Sequence, residues 1–234
     1  MRGSAVEPKR AKKPYIGMGM EGPIANWYAK TTGKDMAEFE REARELAGAL
    51  PSGARVLEVA PGPGFLSVAL AKLGCEVTGV DISESFVRMA TEYAQKEGVR
   101  ANFMHGSASD LPLAADTFDL VVCRAAFKNF SEPLRAINET HRVLKPGAEA
   151  LIIDLCKDSS WKEIVAYVDG LKLSRTSAFM TKFTFKHMLL KRAYTEKSMR
   201  ALAARSEFGS CEIKRNAVGM EVRFRRSMAA QQVA

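Results

Sequence analysis

Three places along the chain carry residues whose types and spacing could do chemistry. The first is Ala60-Pro61-Gly62-Pro63-Gly64, directly after the apolar run of residues 55–59. Glycines there let a backbone approach a ligand closely, and a helix starting near residue 65 would aim free N–H groups at an anionic part of it. The second is Asp81, 17 residues after Gly64, at the end of a second apolar run. A carboxylate at that point can take both hydroxyls of a ribose in charge-assisted hydrogen bonds. The third is Glu58, four residues before Gly62. The fingerprint of a nicotinamide-binding turn is incomplete, because its third glycine would fall at Ser67.

These residues need a scaffold that brings them together, and the pattern of the chain supplies one. Residues 55–59, 76–81, 102–105, 118–123 and 150–155 read as strands. Helices are expected at 65–73, at 84–98 after a Ser83 cap, and from Ser131-Glu132-Pro133 to Lys145-Pro146-Gly147. Strands alternating with helices at this spacing mean a doubly wound, mostly parallel α/β sheet. Its binding crevice lies beyond the carboxyl ends of the strands, where Gly62, Gly64, Asp81 and the residues after Cys123 should converge. Two helices, 22–31 and 35–49, precede the sheet. Residues 157–195 form a mostly helical insertion, and 211–217 with 220–226 read as an antiparallel hairpin. Residues 1–14 are expected to be a disordered basic tail and 15–234 one domain.

Composition narrows the function. The 234 residues are 47% hydrophobic and 26% charged, with a mean hydropathy of -0.14. No apolar run approaches the roughly 18 residues of a bilayer span, and no apolar leader is visible, so a cytoplasmic protein is expected. Cys75, Cys123, Cys156 and Cys211 form no CxxC pair, so neither a zinc site nor a disulfide framework is indicated and no metal is expected. The net charge of +8 is unevenly spread. Residues 15–156 hold 14 basic against 19 acidic residues, whereas 157–200 hold ten against four. That basic second part could attract an anionic substrate or a nucleic acid.

Together, Glu58-Val-Ala-Pro-Gly62-Pro-Gly64, Gly79-Val-Asp81-Ile-Ser and Arg142-Val-Leu-Lys-Pro-Gly147 resemble a class I S-adenosylmethionine-dependent methyltransferase of the small-molecule type. The likeness covers residues 50–156 closely and the closing hairpin more loosely. It implies a Rossmann-like sheet of seven strands with the last strand antiparallel, and S-adenosylmethionine as cofactor. Carried over, Glu58 and the backbone of Ala60 to Gly64 would serve the methionine end and Asp81 the ribose. Ile82 would pack on the adenine, and His105-Gly-Ser107-Ala108 would meet its edge. Cys123 and Arg124, closing the fourth strand, complete the cofactor side. Two departures stand out. Ala60 replaces the family's usual first glycine, which is tolerable if the backbone there is not left-handed, and Ser107 stands where an Asp commonly accepts the adenine amino group.

The acceptor side is less defined. Trp27 and Tyr28 lie in a helix that in relatives folds over the cofactor, and Phe127 and Asn129 follow the fourth strand. Among the histidines, His187 in the insertion is the candidate base or substrate contact, while His105 and His141 read as local or structural. Phe179, Met180, Phe183, Phe185 and Met188 crowd the insertion. Core packing explains a helical face of them, with an apolar acceptor wall and an interfacial amphipathic helix as alternatives. No catalytic residue is assigned. The expected reaction is methyl transfer to a small organic acceptor, aromatic or anionic. Alternatives are an RNA or protein methyltransferase and a non-catalytic S-adenosylmethionine-binding protein. No nucleic-acid-binding module is visible, so nucleic acid is not the expected partner.

Overall fold

Short apolar runs and amphipathic stretches alternate along the chain, and they fold as a sheet with helices on both faces. The computed structural model describes residues 15–17, 19–171 and 174–228; the side chains of residues 35, 186 and 187 lie outside that description, as does the expected tail at 1–14. Helices α1 (Gly22–Thr32) and α2 (Met36–Ala47) lead into β1 (Arg55–Val59), α3 (Phe65–Lys72) and β2 (Glu76–Asp81). There follow α4 (Glu84–Lys96), β3 (Ala101–His105), β4 (Phe118–Arg124), α5 (Pro133–Val143) and β5 (Leu144–Leu155). The insertion holds α6 (Trp161–Gly170), α7 (Arg175–Thr184), a π-helical turn (Phe185–Leu189) and α8 (Leu190–Arg192). The chain ends with α9 (Glu196–Ala204), β6 (Glu212–Asn216) and β7 (Gly219–Arg225).

The seven strands lie in the order β3-β2-β1-β4-β5-β7-β6. All neighbours from β3 to β5 pair in parallel, and β7 runs antiparallel between β5 and β6. The expected mostly parallel sheet with an antiparallel last strand is what forms. Strand order reverses between β1 and β4, so the crevice of such a sheet opens beyond Val59 and Arg124.

Strand alternation divides the core in two. Leu57, Val59, Val121, Cys123 and Ile152 face α5 and α9, where Ile137 and Met199 meet them. Val56, Leu120 and Val122 face α2 and α3, against Phe39, Ala43, Leu66 and Leu70. The signals that set element ends act as their chemistry dictates. The Ser83 side chain accepts a hydrogen bond from Phe86 N–H to cap α4, and Pro133 opens α5.

Two regions differ from expectation. Helix α5 stops at Val143 rather than at Gly147, and β5 starts at once at Leu144. Its register on β4 shifts between the Phe118–Leu144 and Leu120–Glu149 pairs. Gly147 takes a φ of +83° there, and its N–H donates to the Arg226 carbonyl beyond β7. A late antiparallel partner thus captures residues that local signals assign to a turn. The other difference is in the insertion. Its small core consists of Ile164, Val168, Phe185 and Val218, but α7 buries no residue. Phe179 is 68% exposed and Met180 59%, so core packing does not account for them. Among the described residues, no helix is long and apolar enough to cross a membrane.

Candidate functional site

The turn after β1 is buried and backbone-determined. Ala60 N–H donates to the Val80 carbonyl at 2.8 Å, and Gly64 N–H to that of Pro61 at 3.1 Å. Gly62 and Gly64 have φ of +56° and +82°, and Ala60 has +59°. The condition under which an alanine is easily tolerated at position 60 is therefore not met; the pairing of its N–H with β2 holds it left-handed, at about 1–2 kcal/mol of strain. The two glycines serve different ends. A Cβ on Gly64 would lie 2.8 Å from Cβ of Ala90, so Gly64 lets α4 pack close. A Cβ on Gly62 would meet nothing nearer than the Tyr28 ring at 3.9 Å.

Both acids flank this turn. Oδ2 of Asp81 accepts from Gly62 N–H at 3.0 Å, and Oδ1 from Ser83 N–H at 2.9 Å. Asp81 is only 4% exposed. Burial pushes its carboxyl up to about 6, against the pull of the Ser83 and Gly62 amides. Glu58 is buried on the central strand, and its Oε2 accepts from the Ser67 hydroxyl in the first turn of α3. Burial pushes this carboxyl up to about 8, with the Ser67 hydroxyl opposing. A cation beside Glu58 would favour its ionised form, and hydroxyl donors beside Asp81 would favour its ionised form in turn.

A strap described at residues 15–17 and 19–32 crosses the carboxyl ends of the strands above these groups. At one side Tyr15 bridges to Phe130, and Ile16 N–H donates to the Asn129 carbonyl at 2.9 Å. At the other, the Ser83 hydroxyl donates to Met20 O, Ser85 N–H to Glu21 Oε2 at 3.1 Å, and Gly22 N–H to Ser85 Oγ at 3.0 Å. Tyr28 packs on Phe86 with ring centroids 5.6 Å apart. Burial pushes the Tyr15 phenol up to about 12, with the negative potentials of Tyr28 and Asp81 adding to it.

The ends of β4 and β5 hold a pair that sequence reasoning missed. Nζ of Lys128 lies 2.8 Å from Oδ1 of Asp154, and Lys128 N–H donates to Oδ2 at 2.9 Å. Both residues are buried. The Lys128 ammonium also donates to the Ala125 carbonyl, so the pair fixes the loop from 125 to 130. A lysine and an aspartate 26 residues apart carry no local signal of pairing.

Residues 57–152 match the protein family described as "Methyltransferase domain". A demethylmenaquinone methyltransferase of Clavibacter sepedonicus is 33% identical over 149 residues, 62% of this chain and 60% of the relative. A ubiquinone biosynthesis O-methyltransferase of Ruegeria pomeroyi is 34% identical over 111 residues, 47% of this chain and 44% of the relative. The chain thus spans roughly half the length of these curated relatives. Among solved structures, a candidate S-adenosyl-L-methionine-dependent methyltransferase of Methanococcus maripaludis superposes with a TM-score of 0.73 at 18% identity. That alignment covers 93% of this chain and 98% of the other. Residues 57–152 thus match a methyltransferase domain, and the chain takes the fold of S-adenosyl-L-methionine-dependent methyltransferases.

Within this methyltransferase fold, Glu58, Ala60, Gly62, Gly64, Asp81 and Tyr28 come together. Ile82 is half-buried beside them, and its carbonyl meets His105 Nε2 at 3.1 Å. Ser107 Oγ accepts from Ser109 N–H at 3.2 Å, and Ala108 packs on the main core. Cys123 is buried, its thiol pushed well up by burial. The Arg124 side chain is a correction to the expected cofactor contact. Its Nε and Nη2 lie 2.9 and 2.8 Å from Glu42 and Glu38 of α2, and the guanidinium sits 4.5 Å over the Phe39 ring. Arg124 shares its strand face with Leu120 and Val122, which turn toward α2 and α3.

On the acceptor side, Trp27 is 66% exposed and does not join the buried cluster. Phe127 is 2% exposed, packed between Phe130 and Tyr194 with centroids 5.3 and 5.4 Å away, so it is core rather than an open wall. Asn129 stays at the crevice, its Oδ1 3.5 Å from Arg192 Nη1. The side chain of His187 lies outside the described residues. A cleft of about 610 Å³ opens elsewhere, between α2 and the β4–β5–β7 face. Ion-paired Arg124, Arg223 and Glu149 line it, and it includes none of Glu58, Gly62 and Asp81. No group of three metal-ligating side chains occurs among the described residues.

Proposed function

We propose that this chain transfers the methyl group of S-adenosylmethionine to a small organic acceptor at the carboxyl end of its sheet. One observation carries the reading: Asp81, buried at the end of β2, has both oxygens turned to the backbone of the Gly62 turn and of Ser83. That is the setting in which a carboxylate can take a ribose diol. Glu58 would face the cationic methionine end, and the free side of Gly62 toward Tyr28 leaves the backbone approachable. Bound here, the cofactor supplies a methyl group already made electrophilic by its sulfonium.

What remains for the protein is alignment and exclusion of water. The strap would close over the site and keep solvent from the reacting centre. Lys128 and Asp154 would hold the 125–130 loop, and with it Asn129, at the acceptor side. The names of the two relatives, a demethylmenaquinone methyltransferase and a ubiquinone biosynthesis O-methyltransferase, support a flat, lipophilic acceptor. The test is calorimetry with S-adenosylmethionine and NAD, on the parent and on Asp81→Ala. The parent should bind S-adenosylmethionine and not NAD. Asp81→Ala should lose about 2–3 kcal/mol of that affinity. It should also lose about 1–3 kcal/mol of stability, because the Gly62 and Ser83 amides lose their acceptor. A variant that binds like the parent would refute the placement of the ribose. Labelled methyl transfer into total RNA but into no small acceptor would refute the substrate class.

A further inference from the structure

The insertion after β5 spends its apolar residues on the outside. In α7 no residue is buried, while Phe179 and Met180 are 68% and 59% exposed and Met188 just beyond is 56% exposed. At about 100° per residue, Phe179, Met180 and Phe183 share an arc of about 100°. Arg175 stands at its edge, and Ala178, on another side of the helix, packs on the core of Ile164, Val168 and Phe185. Lys182 pairs with Asp169 of α6 at 2.7 Å, which ties the helix down with its aromatic face outward. Arg175 on α7 and Lys191 and Arg192 on α8 are exposed in the same insertion.

We infer that this face docks on the surface of an anionic lipid bilayer, with Phe179, Met180 and Met188 entering the headgroup boundary. Charge argues for that occupant over a neutral bilayer or a second copy of the same basic segment, and the exposed apolar side chains argue for a bilayer. Residues 157–200 carry ten basic and four acidic residues, whereas residues 15–156 carry 14 against 19. The charge is thus uneven along the chain, and the basic stretch is the one that carries the aromatic face. Large apolar side chains among lysines and arginines are what an interfacial helix offers to anionic headgroups. The insertion that carries the face also reaches the crevice. Asn129 accepts from Ile16 of the strap through its carbonyl and meets Arg192 of α8 through its side chain. A docked molecule would therefore present its acceptor side to the bilayer, and a lipid-dissolved acceptor would reach it without crossing water. That last step rests on the proposed methyl transfer; the docking does not.

The test is co-sedimentation of the full chain with vesicles, either of pure phosphatidylcholine or of equal parts phosphatidylcholine and phosphatidylglycerol. Strong binding to the anionic vesicles, weakened by salt, is expected, with little binding to the neutral ones. The double variant Phe179→Ser/Met180→Ser should bind the anionic vesicles at least about tenfold more weakly. It should bind S-adenosylmethionine like the parent, because neither residue contributes to the Asp81 turn. No vesicle binding by the parent, or equal binding by the variant, would overturn the inference. So would light scattering that shows a parent dimer broken by the double variant, since the face would then join two copies. Loss of S-adenosylmethionine binding in the parent would strike the proposed function alone.

Discussion

Residues 55–85 and residues 161–192 are built on opposite terms. In the first stretch the turn is buried from Pro61 to Gly64, and Glu58, Asp81, Ser83 and Ser85 are polar groups buried with partners. In the second, α7 buries nothing and exposes its largest apolar side chains. The first is determined from several sides at once: strand pairing, left-handed residues and carboxylate-to-amide bonds all demand the same geometry. The second is held at its base and leaves its outer composition to be set by what lies outside. A site that must fix a ligand to within a fraction of an ångström needs the first kind of construction. A surface that meets a soft partner can use the second.

The sharpest way to break that comparison is to crowd the turn. A valine at Gly64 would hold a φ of +82° and press its Cβ against Ala90, whose backbone Cα is also only 3.1 Å away. Strain and overpacking together should remove about 3–5 kcal/mol of stability. Phe179→Ser/Met180→Ser should change stability by less than about 0.5 kcal/mol. Urea unfolding of both variants checks the pair. Similar losses in the two would mean that the insertion is as tightly determined as the turn.

How far the sequence could be read follows the same division. The alternation from residue 54 to 156 is legible because Gly62, Gly64, Gly74 and Gly98 take left-handed φ where elements end, and each does so for local reasons. Asp81 and the glycine turn are legible because their relation is a fixed spacing along one strand–turn–helix–strand unit. Arg124 was open to the wrong side, although its alternation with Leu120 and Val122 already points it to α2. The Lys128–Asp154 pair needs β4 and β5 to be neighbours, which no window of sequence contains. In α7 the spacing of Phe179 and Phe183 is the same for a stripe facing a core and one facing solvent. Periodicity finds a face and not its partner.

A second prediction concerns the charge held inside the turn. The folded Glu58 carboxyl keeps its proton up to about pH 8, whereas an unfolded one loses it near about 4.3. Between those values the folded state binds more protons than the unfolded state, so stability falls as pH rises through the window. Glu58→Gln removes this dependence and keeps an acceptor for the Ser67 hydroxyl. Its advantage over the parent, with no ligand bound, should grow by about 1 kcal/mol per pH unit from about pH 5 to 8. Thermal unfolding of both proteins across that range reads the difference directly. A constant difference would mean that Glu58 is ionised in the fold at all these pH values, and that the turn is less closed to water than its burial implies.

The smallest expected effect lies at Ala60, where the closely determined region departs from its own rule. Its φ of +59° suits glycine, yet an alanine is present, half-buried against the main core. Ala60→Gly relieves a left-handed strain of about 1–2 kcal/mol. Against that stand the greater freedom of glycine in the unfolded chain, about 0.5–1 kcal/mol, and a methyl group's contact with the core. The balance should favour the glycine variant by no more than about 1 kcal/mol, because the relief slightly exceeds the two losses. Ala60→Val keeps the strain, adds a branched Cβ that resists this φ, and should lower stability instead. Paired melts of the two variants give the sign. A destabilised Ala60→Gly would show that the methyl contact outweighs the backbone strain, and hence that packing rather than ligand approach selects the residue at this end of β1.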